Sequence, residues 1–279
     1  MVFNRKNLNK SLAAAACAVA LTCGAFGTVY ASDAADAQGK PQGKNGVGAN
    51  ATNLQTAYDY WERGCFKKLK EDYDGAIADF TVAISMQPDY LEAYNNRGLC
   101  YADLGRLDLA MADYNKIIEL APDYSDAYFN KAELYAINDQ PQEAVIAYTK
   151  CLEVNPKHID AHFNRGNYYA SEGKYQEAIA DYNAIIDIDK EYLDAYYVRG
   201  NAYGRLKQYE KALEDYEYVL SKFKSYHAVQ FMKGVVLDKL GRKAEAREAF
   251  ETFLKKVPDI DVYADRIAVA KEMIEELKK

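Results

Sequence analysis

The chain has little of what catalysis usually needs. Its 279 residues hold three histidines and one tryptophan. None of HExxH, GxSxG or GxxxxGK[ST] is present, and the Gly-Lys pairs at 39–40, 43–44 and 173–174 lack the rest of a phosphate loop. No catalytic group and no cofactor is therefore expected. Basic charge is also short. The chain carries −7, and its first 31 residues hold Arg5, Lys6 and Lys10 without an acid, so the remainder carries −10. A chain that acidic is a poor partner for phosphate backbones, which excludes nucleic acid as the expected ligand.

Long apolar runs are missing after the first 30 residues. The one run, Ser11 to Gly27, follows a basic start and precedes Val29-Tyr30-Ala31, with small residues where signal peptidase requires them. Residues 1–31 read as a secretory signal cleaved after Ala31, with an uncleaved anchor as the alternative; the run is about a turn short of the ~20 residues of a comfortable span. A lipoprotein reading through Cys23 is weaker, because Leu21 stands one place too close and Thr22 is a poor residue directly before it. The exported chain is expected in the periplasm or outside the cell, with no membrane span once mature. Cleavage leaves Cys65, Cys100 and Cys151, an odd set for a fold built on disulfides, so these are expected as small apolar core residues. Residues 32–56 begin with a stretch that has no aromatic and much Gly, Ala and Asn, and are expected to be a flexible linker.

What the chain does have is 25 tyrosines, and a repeat. LEAYNNRGLCYADLGRLDLAMADYNKIIELAPDY (91–124) aligns with IDAHFNRGNYYASEGKYQEAIADYNAIIDIDKEY (159–192), and the period extends without insertion over 57–90, 91–124, 125–158, 159–192, 193–226 and 227–260. Counting each repeat from 1 to 34, position 8 is Gly in all but Ala132, and position 20 is always Ala. Position 24 is Phe80, Tyr114, Tyr148, Tyr182, Tyr216 or Phe250, and position 32 is Pro in four repeats. Apolar residues at 4, 8 and 11, and again at 20, 24 and 27, have helical spacing, with a polar break near 15–18.

This pattern resembles the tetratricopeptide repeat (TPR). The resemblance implies an all-α, right-handed α-solenoid of six helix-turn-helix repeats, with small residues at 8 and 20 letting the two helices approach. Residues 261–279, striped with Val262, Ile267, Ala270, Ile274 and Leu277, are expected to form a capping helix. Lys190 and Lys224 in place of proline, Gln230 at position 4 and Lys67 at 11 depart from the pattern and put local helix ends in question.

The repeats also align against one another. Position 7 is Arg63, Arg97, Lys131, Arg165, Arg199 and Lys233; position 23 is Asp79, Asp113, Ala147, Asp181, Asp215 and Ala249. Arginine accompanies aspartate and lysine accompanies alanine, as expected of a pair locking each hairpin rather than a basic ladder for an acidic ligand. His158 and His162 stand four apart without a third ligand, so they are expected in the turn and in the aromatic packing slot rather than on a metal. Acids at position 2 (Glu92, Asp126, Asp160, Asp194) suit the first turn of a helix and would make one rim of a groove negative.

In the proteins it resembles, the leading helix of each repeat lines a concave groove. Carried over, that surface comprises Trp61, Asn95, Phe129, Phe163 and Tyr197 at position 5, Asn96, Asn130 and Asn164 at 6, and Asn167 and Asn201 at 9. Amides beside rings suit an extended peptide, since each Asn can donate to and accept from a main chain. A carboxylate clamp of the kind known in the family is not expected, because no repeat has Lys at 5 or 2. The expected function is a protein-interaction scaffold with a protein or peptide partner, the alternative being a binder of a glycan or wall fragment. Most of the tyrosines fall at positions 4, 11, 17, 24 and 34, and so report the repeat rather than the ligand.

Overall fold

The computed structural model describes residues 56–258 and 261–278. The expected signal sequence and all of the expected linker except Thr56 lie outside them. Among the described residues there are thirteen α-helices and no strand. In chain order they are α1 (Ala57–Leu69), α2 (Tyr73–Met86), α3 (Leu91–Asp103), α4 (Leu107–Leu120), α5 (Ser125–Ile137), α6 (Pro141–Val154), α7 (Ile159–Ser171), α8 (Tyr175–Ile188), α9 (Leu193–Arg205), α10 (Tyr209–Lys222), α11 (His227–Lys239), α12 (Lys243–Lys256) and α13 (Ala264–Leu277). The all-α class and the consecutive helix-turn-helix pairs are those expected from the sequence.

The chain divides into two compact units, one ending at Pro122 and the other beginning at Asp123. In the first, α1 packs on α2, α2 on α3 and α3 on α4. In the second, each helix from α5 to α13 packs on the next. No helix of the described residues is long and apolar enough to cross a membrane.

Three local rules produce the pairs. The first is the turn between the two helices of a repeat. Position 15 has positive φ in every repeat, at Glu71 (61°), Gly105 (70°), Asp139 (54°), Gly173 (75°), Lys207 (60°) and Gly241 (74°). This left-handed residue ends the leading helix, and glycine is the residue that adopts it without strain.

The second rule is close approach. A Cβ added at Gly98 would stand 2.7 Å from the Tyr114 ring, and one at Gly166 or Gly200 the same distance from Tyr182 or Tyr216. The ring at position 24 thus lies directly on the backbone of the leading helix. Phe80, Tyr114, Tyr148, Tyr182, Tyr216 and Phe250 are all among the largest fully buried side chains. Each buried ring contributes about 1.5–3 kcal/mol by area, which makes position 24 the main apolar anchor of each hairpin.

The third is the helix end. The backbone turns extended at position 31 in each of the first five repeats, with φ −135° at Gln87 before Pro88, −133° at Asp189 before Lys190 and −134° at Phe223 before Lys224. Loss of proline leaves these ends unchanged, because the residue's N–H still bonds four residues back, as Asp189 N does to Ile185 O at 2.7 Å.

At the N-terminal side, Thr56 and Asp59 form a reciprocal capping box that starts α1 at the first residue of the repeat. At the C-terminal side, α13 packs on α12 with Ala270 and Ile274 buried. Val262 does not join that stripe: it lies in a 3-10 turn, Asp261–Tyr263, and is 70% exposed. Cys100 and Cys151 are buried and Cys65 is half-buried, all three with free thiols.

Candidate functional site

The basic series at position 7 is structural. Arg97 Nε donates to Asp113 Oδ2 at 2.9 Å and Nη2 to Oδ1 at 2.7 Å. Arg165 holds Asp181 at 2.9 and 2.7 Å, and Arg199 holds Asp215 at 3.0 and 2.6 Å. Arg63 grips Asp79 in the same fork, with Lys67 adding a second cation at 2.9 Å. All four aspartates are buried.

The third arm of the guanidinium was not foreseen. Arg97 Nη1 donates to Thr81 at 3.1 Å, Arg165 Nη1 to Thr149 at 3.0 Å and Arg199 Nη1 to Asn183 at 2.6 Å, in each case position 25 of the preceding repeat. Lys233 reaches the equivalent Glu217 at 2.8 Å. One arginine therefore closes its own hairpin and ties it to the one before. The sequence signal for this was a polar residue at position 25.

Burial pushes the carboxyl pKa of Asp113 and Asp215 up, against the pull of Arg97 and Arg199. Asp79 is opposite: burial raises it, but Arg63 and Lys67 together outweigh that and hold it low.

The rings at position 5 are packed from two sides. Phe129 lies 5.9 Å from Tyr148 and stacks on His158 at 4.7 Å; Phe163 lies 6.4 Å from Tyr182 and 5.9 Å from Tyr192. Trp61 contacts Tyr58 at 5.6 Å and Tyr90 at 6.1 Å. These three remain half-buried. The Trp61 indole Nε1 is buried and has no hydrogen-bond partner among the described residues. Tyr197 differs. At 3% exposed, between Tyr216 at 6.4 Å and Tyr226 at 5.4 Å, it is a core residue and offers no ring to a ligand. Three of the position-34 tyrosines thus have a packing role: Tyr90, Tyr192 and Tyr226 cover the position-5 ring of their own repeat.

The amides divide into two groups. Asn167 Oδ1 accepts the buried Tyr182 hydroxyl at 2.9 Å, and Asn201 Oδ1 accepts that of Tyr216 at 2.8 Å. Mid-helix asparagine at position 9 therefore has a structural cause, contrary to its assignment to the groove. In the third repeat Glu133 takes the same place beneath Tyr148. Where position 24 is Phe80 or Phe250, position 9 is the apolar Cys65 or Val235.

Position 6 is different. Asn96 Nδ2 donates to Glu92 O at 2.9 Å, and Asn164 Nδ2 to Glu133 Oε1 at 2.8 Å. Each amide is thereby oriented, and Asn164 also interacts with the Tyr148 hydroxyl that Glu133 accepts. Asn95, beside Asn96 on α3, and Asn130, on α5, are half-buried.

Both paired histidines serve the fold. His158 Nδ1 accepts the Ala161 N–H at 3.2 Å as the cap of α7, while Nε2 faces Asp126 at 3.5 Å. His162 is buried between Asp181 at 2.8 Å and the Pro156 carbonyl at 3.0 Å. Among the described residues, no group of three or more His, Cys, Asp or Glu side chains is placed to hold a metal ion.

Models of the tetratricopeptide repeat match residues 91–124, 113–146, 147–180 and 197–259, and a TPR repeat model matches 166–207, so the matches reach across more than half of the chain. No curated protein matches. Among solved structures, a MamA protein is 28% identical with a TM-score of 0.50, covering 60% of this chain and 94% of its own. YrrB, described as a TPR protein with an unusual peptide-binding site, is 21% identical with a TM-score of 0.51, covering 62% and 89%. The C-terminal part of a TPR repeat-containing protein from Cytophaga hutchinsonii is 20% identical with a TM-score of 0.67, covering 78% and 87%. With the small–aromatic packing at positions 8 and 24 repeated from α1 to α12, the chain belongs to the tetratricopeptide repeat family.

Proposed function

We propose that the protein is an exported scaffold that binds an extended segment of a partner protein along the leading helices of its repeats. The family's usual ligands, proteins and peptides, support this reading. So does the chemistry of position 6. The observation that carries it is Asn164: half-buried on the leading helix α7, it has its Nδ2 fixed on Glu133 at 2.8 Å, which sets the orientation of the amide. An amide oxygen held in one orientation suits a main-chain N–H.

In the second compact unit the surface comprises Phe129, Asn130, Phe163 and Asn164; in the first it comprises Trp61, Asn95 and Asn96. Tyr197, Asn167 and Asn201 drop out, since the core uses them. Exposed Glu92 and Asp160 add negative charge beside it and favour a neutral or basic segment.

Export rests on the basic start, the apolar run and Val29-Tyr30-Ala31. Cell fractionation with N-terminal sequencing tests it, with Ser32 expected as the first residue. Partner identity is open to crosslinking in cells with a photoreactive residue at position 96 or 164. Adducts concentrated on one protein support the scaffold reading. Adducts with glycan alone overturn it.

A further inference from the structure

The two turns that lack proline, joining repeats four to five and five to six, border an open hollow of about 390 Å³. Its walls include three carboxylates, Asp189, Glu191 and Asp194, and three rings, Tyr192, Phe223 and Tyr226. Phe223 is the unusual member. At 54% exposed it packs no core, and the corresponding residues of the other repeats are Gln87, Ala121, Asn155, Asp189 and Val257. Repeat architecture does not require a ring there.

The hollow is also ordered. Tyr226 donates to Asp194 Oδ1 at 2.9 Å, which fixes its ring, and Phe223 meets that ring edge-on at 6.2 Å. Asp189 Oδ1 accepts the Glu191 N–H at 2.8 Å. One cation approaches from the rim: Lys222 Nζ is 3.4 Å from Glu191 Oε1 and lies over the Tyr218 ring at 5.7 Å. Carboxylates attract a positive charge and ring faces attract it too, so both parts of the wall select the same ligand. An anion would be repelled, and an apolar group would desolvate carboxylates without pairing them.

We propose that this hollow receives a lysine or arginine side chain of a partner's peptide segment, a claim that rests on the peptide-scaffold reading and gives that segment a basic residue. Arginine fits better, since its plane can lie on a ring while its edge reaches a carboxylate.

The test is titration of the full chain with N-acetyl-arginine amide, N-acetyl-lysine amide and N-acetyl-norleucine amide, followed through ring-proton NMR signals assigned with Phe223→Leu. The expected result is saturable shifts of the Phe223 and Tyr226 rings with both cations, none with norleucine, and an affinity that falls about threefold in each of Asp189→Asn and Glu191→Gln. Both substituted side chains border an open hollow and belong to no buried pair, and circular dichroism confirms folding. An equal response to norleucine, an affinity unchanged in the double variant, or no ring shifts with either cation would overturn the proposal. Small probes report on the hollow alone. If they fail while a peptide still binds at Asn96 and Asn164, only this inference falls. If they bind and no peptide partner exists, the scaffold reading falls instead.

Discussion

The Tyr182 hydroxyl donates to Asn167 Oδ1 at 2.9 Å across the fourth hairpin, and this bond moves Asn167 from the candidate ligand surface into the architecture. Burial raises the Tyr182 pKa, so the group stays a donor. Asn167→Ala leaves that buried hydroxyl without its acceptor and is expected to cost about 1–3 kcal/mol. Tyr182→Phe in the same chain should recover most of the loss, because Phe80 with Cys65 and Phe250 with Val235 already form apolar versions of the pair. Thermal unfolding of the two single variants and the double variant measures this. A double variant no more stable than Asn167→Ala would show that the bond is not the cause.

Arg97 and Asp113 give a second cycle. Removing either partner leaves the other buried charge unpaired, at about 3 kcal/mol. Asp113→Ala and Arg97→Ala should each lower the melting temperature, and the double variant should lose less than their sum. If Asp113→Ala leaves the melting temperature unmoved while Arg97→Ala lowers it, the fork to aspartate contributes nothing and the Thr81 contact carries the effect.

Position 15 predicts stabilising changes. Glu71 and Lys207 hold left-handed φ of 61° and 60°, where three other repeats have glycine. Lys207→Gly should raise stability by up to about 1 kcal/mol, since glycine escapes the left-handed steric penalty that exceeds its extra unfolded-state entropy. Gly173→Ala, at φ 75°, should lower it. Chemical denaturation of both variants reads the two signs.

Acid unfolding should separate two kinds of buried pair. Asp79 has a folded pKa below the ordinary aspartate value, so its contribution is present above that value and lost as pH falls through the folded pKa. Asp113 has a raised folded pKa, so its contribution is present below the ordinary value and lost as pH rises through the folded one. Between about pH 3 and 6, Asp79→Asn should flatten the fall of melting temperature with acid, and Asp113→Asn should steepen it. Equal slopes in the two variants would contradict the opposing shifts.

Much of this was legible because the repeats act as an internal alignment. Gly or Ala at 8, Ala at 20 and a ring at 24 specify a close hairpin, and the joint appearance of Arg with Asp identified the fork in the right pairing. The Arg arm to position 25 was not legible, because Thr81, Thr149 and Asn183 share polarity but not identity. The ligand surface was legible only in part. Asn164 and Asn167 look alike in sequence, yet Asn164 donates to Glu133 of the preceding repeat while Asn167 accepts the Tyr182 hydroxyl of its own. Tyr197 shows the same limit: Phe163 lies between two tyrosines as Tyr197 does, yet Phe163 stays half-buried and Tyr197 is core, a difference that residue type does not reveal. Val262 fell outside its stripe because the last helix begins two residues later than its apolar pattern.

The most direct test of the central claim is calorimetric titration of the crosslinked partner segment against three proteins: the native chain, Asn96/Asn130/Asn164→Ala, and the Asn167→Ala/Tyr182→Phe control. Loss of an oriented amide contact costs about 1 kcal/mol or more at each engaged site, so the triple variant should bind at least tenfold more weakly while the control binds as the native chain does. Native affinity in the triple variant, or an equal loss in the control, would contradict the assignment of the position-6 asparagines to a peptide-binding surface.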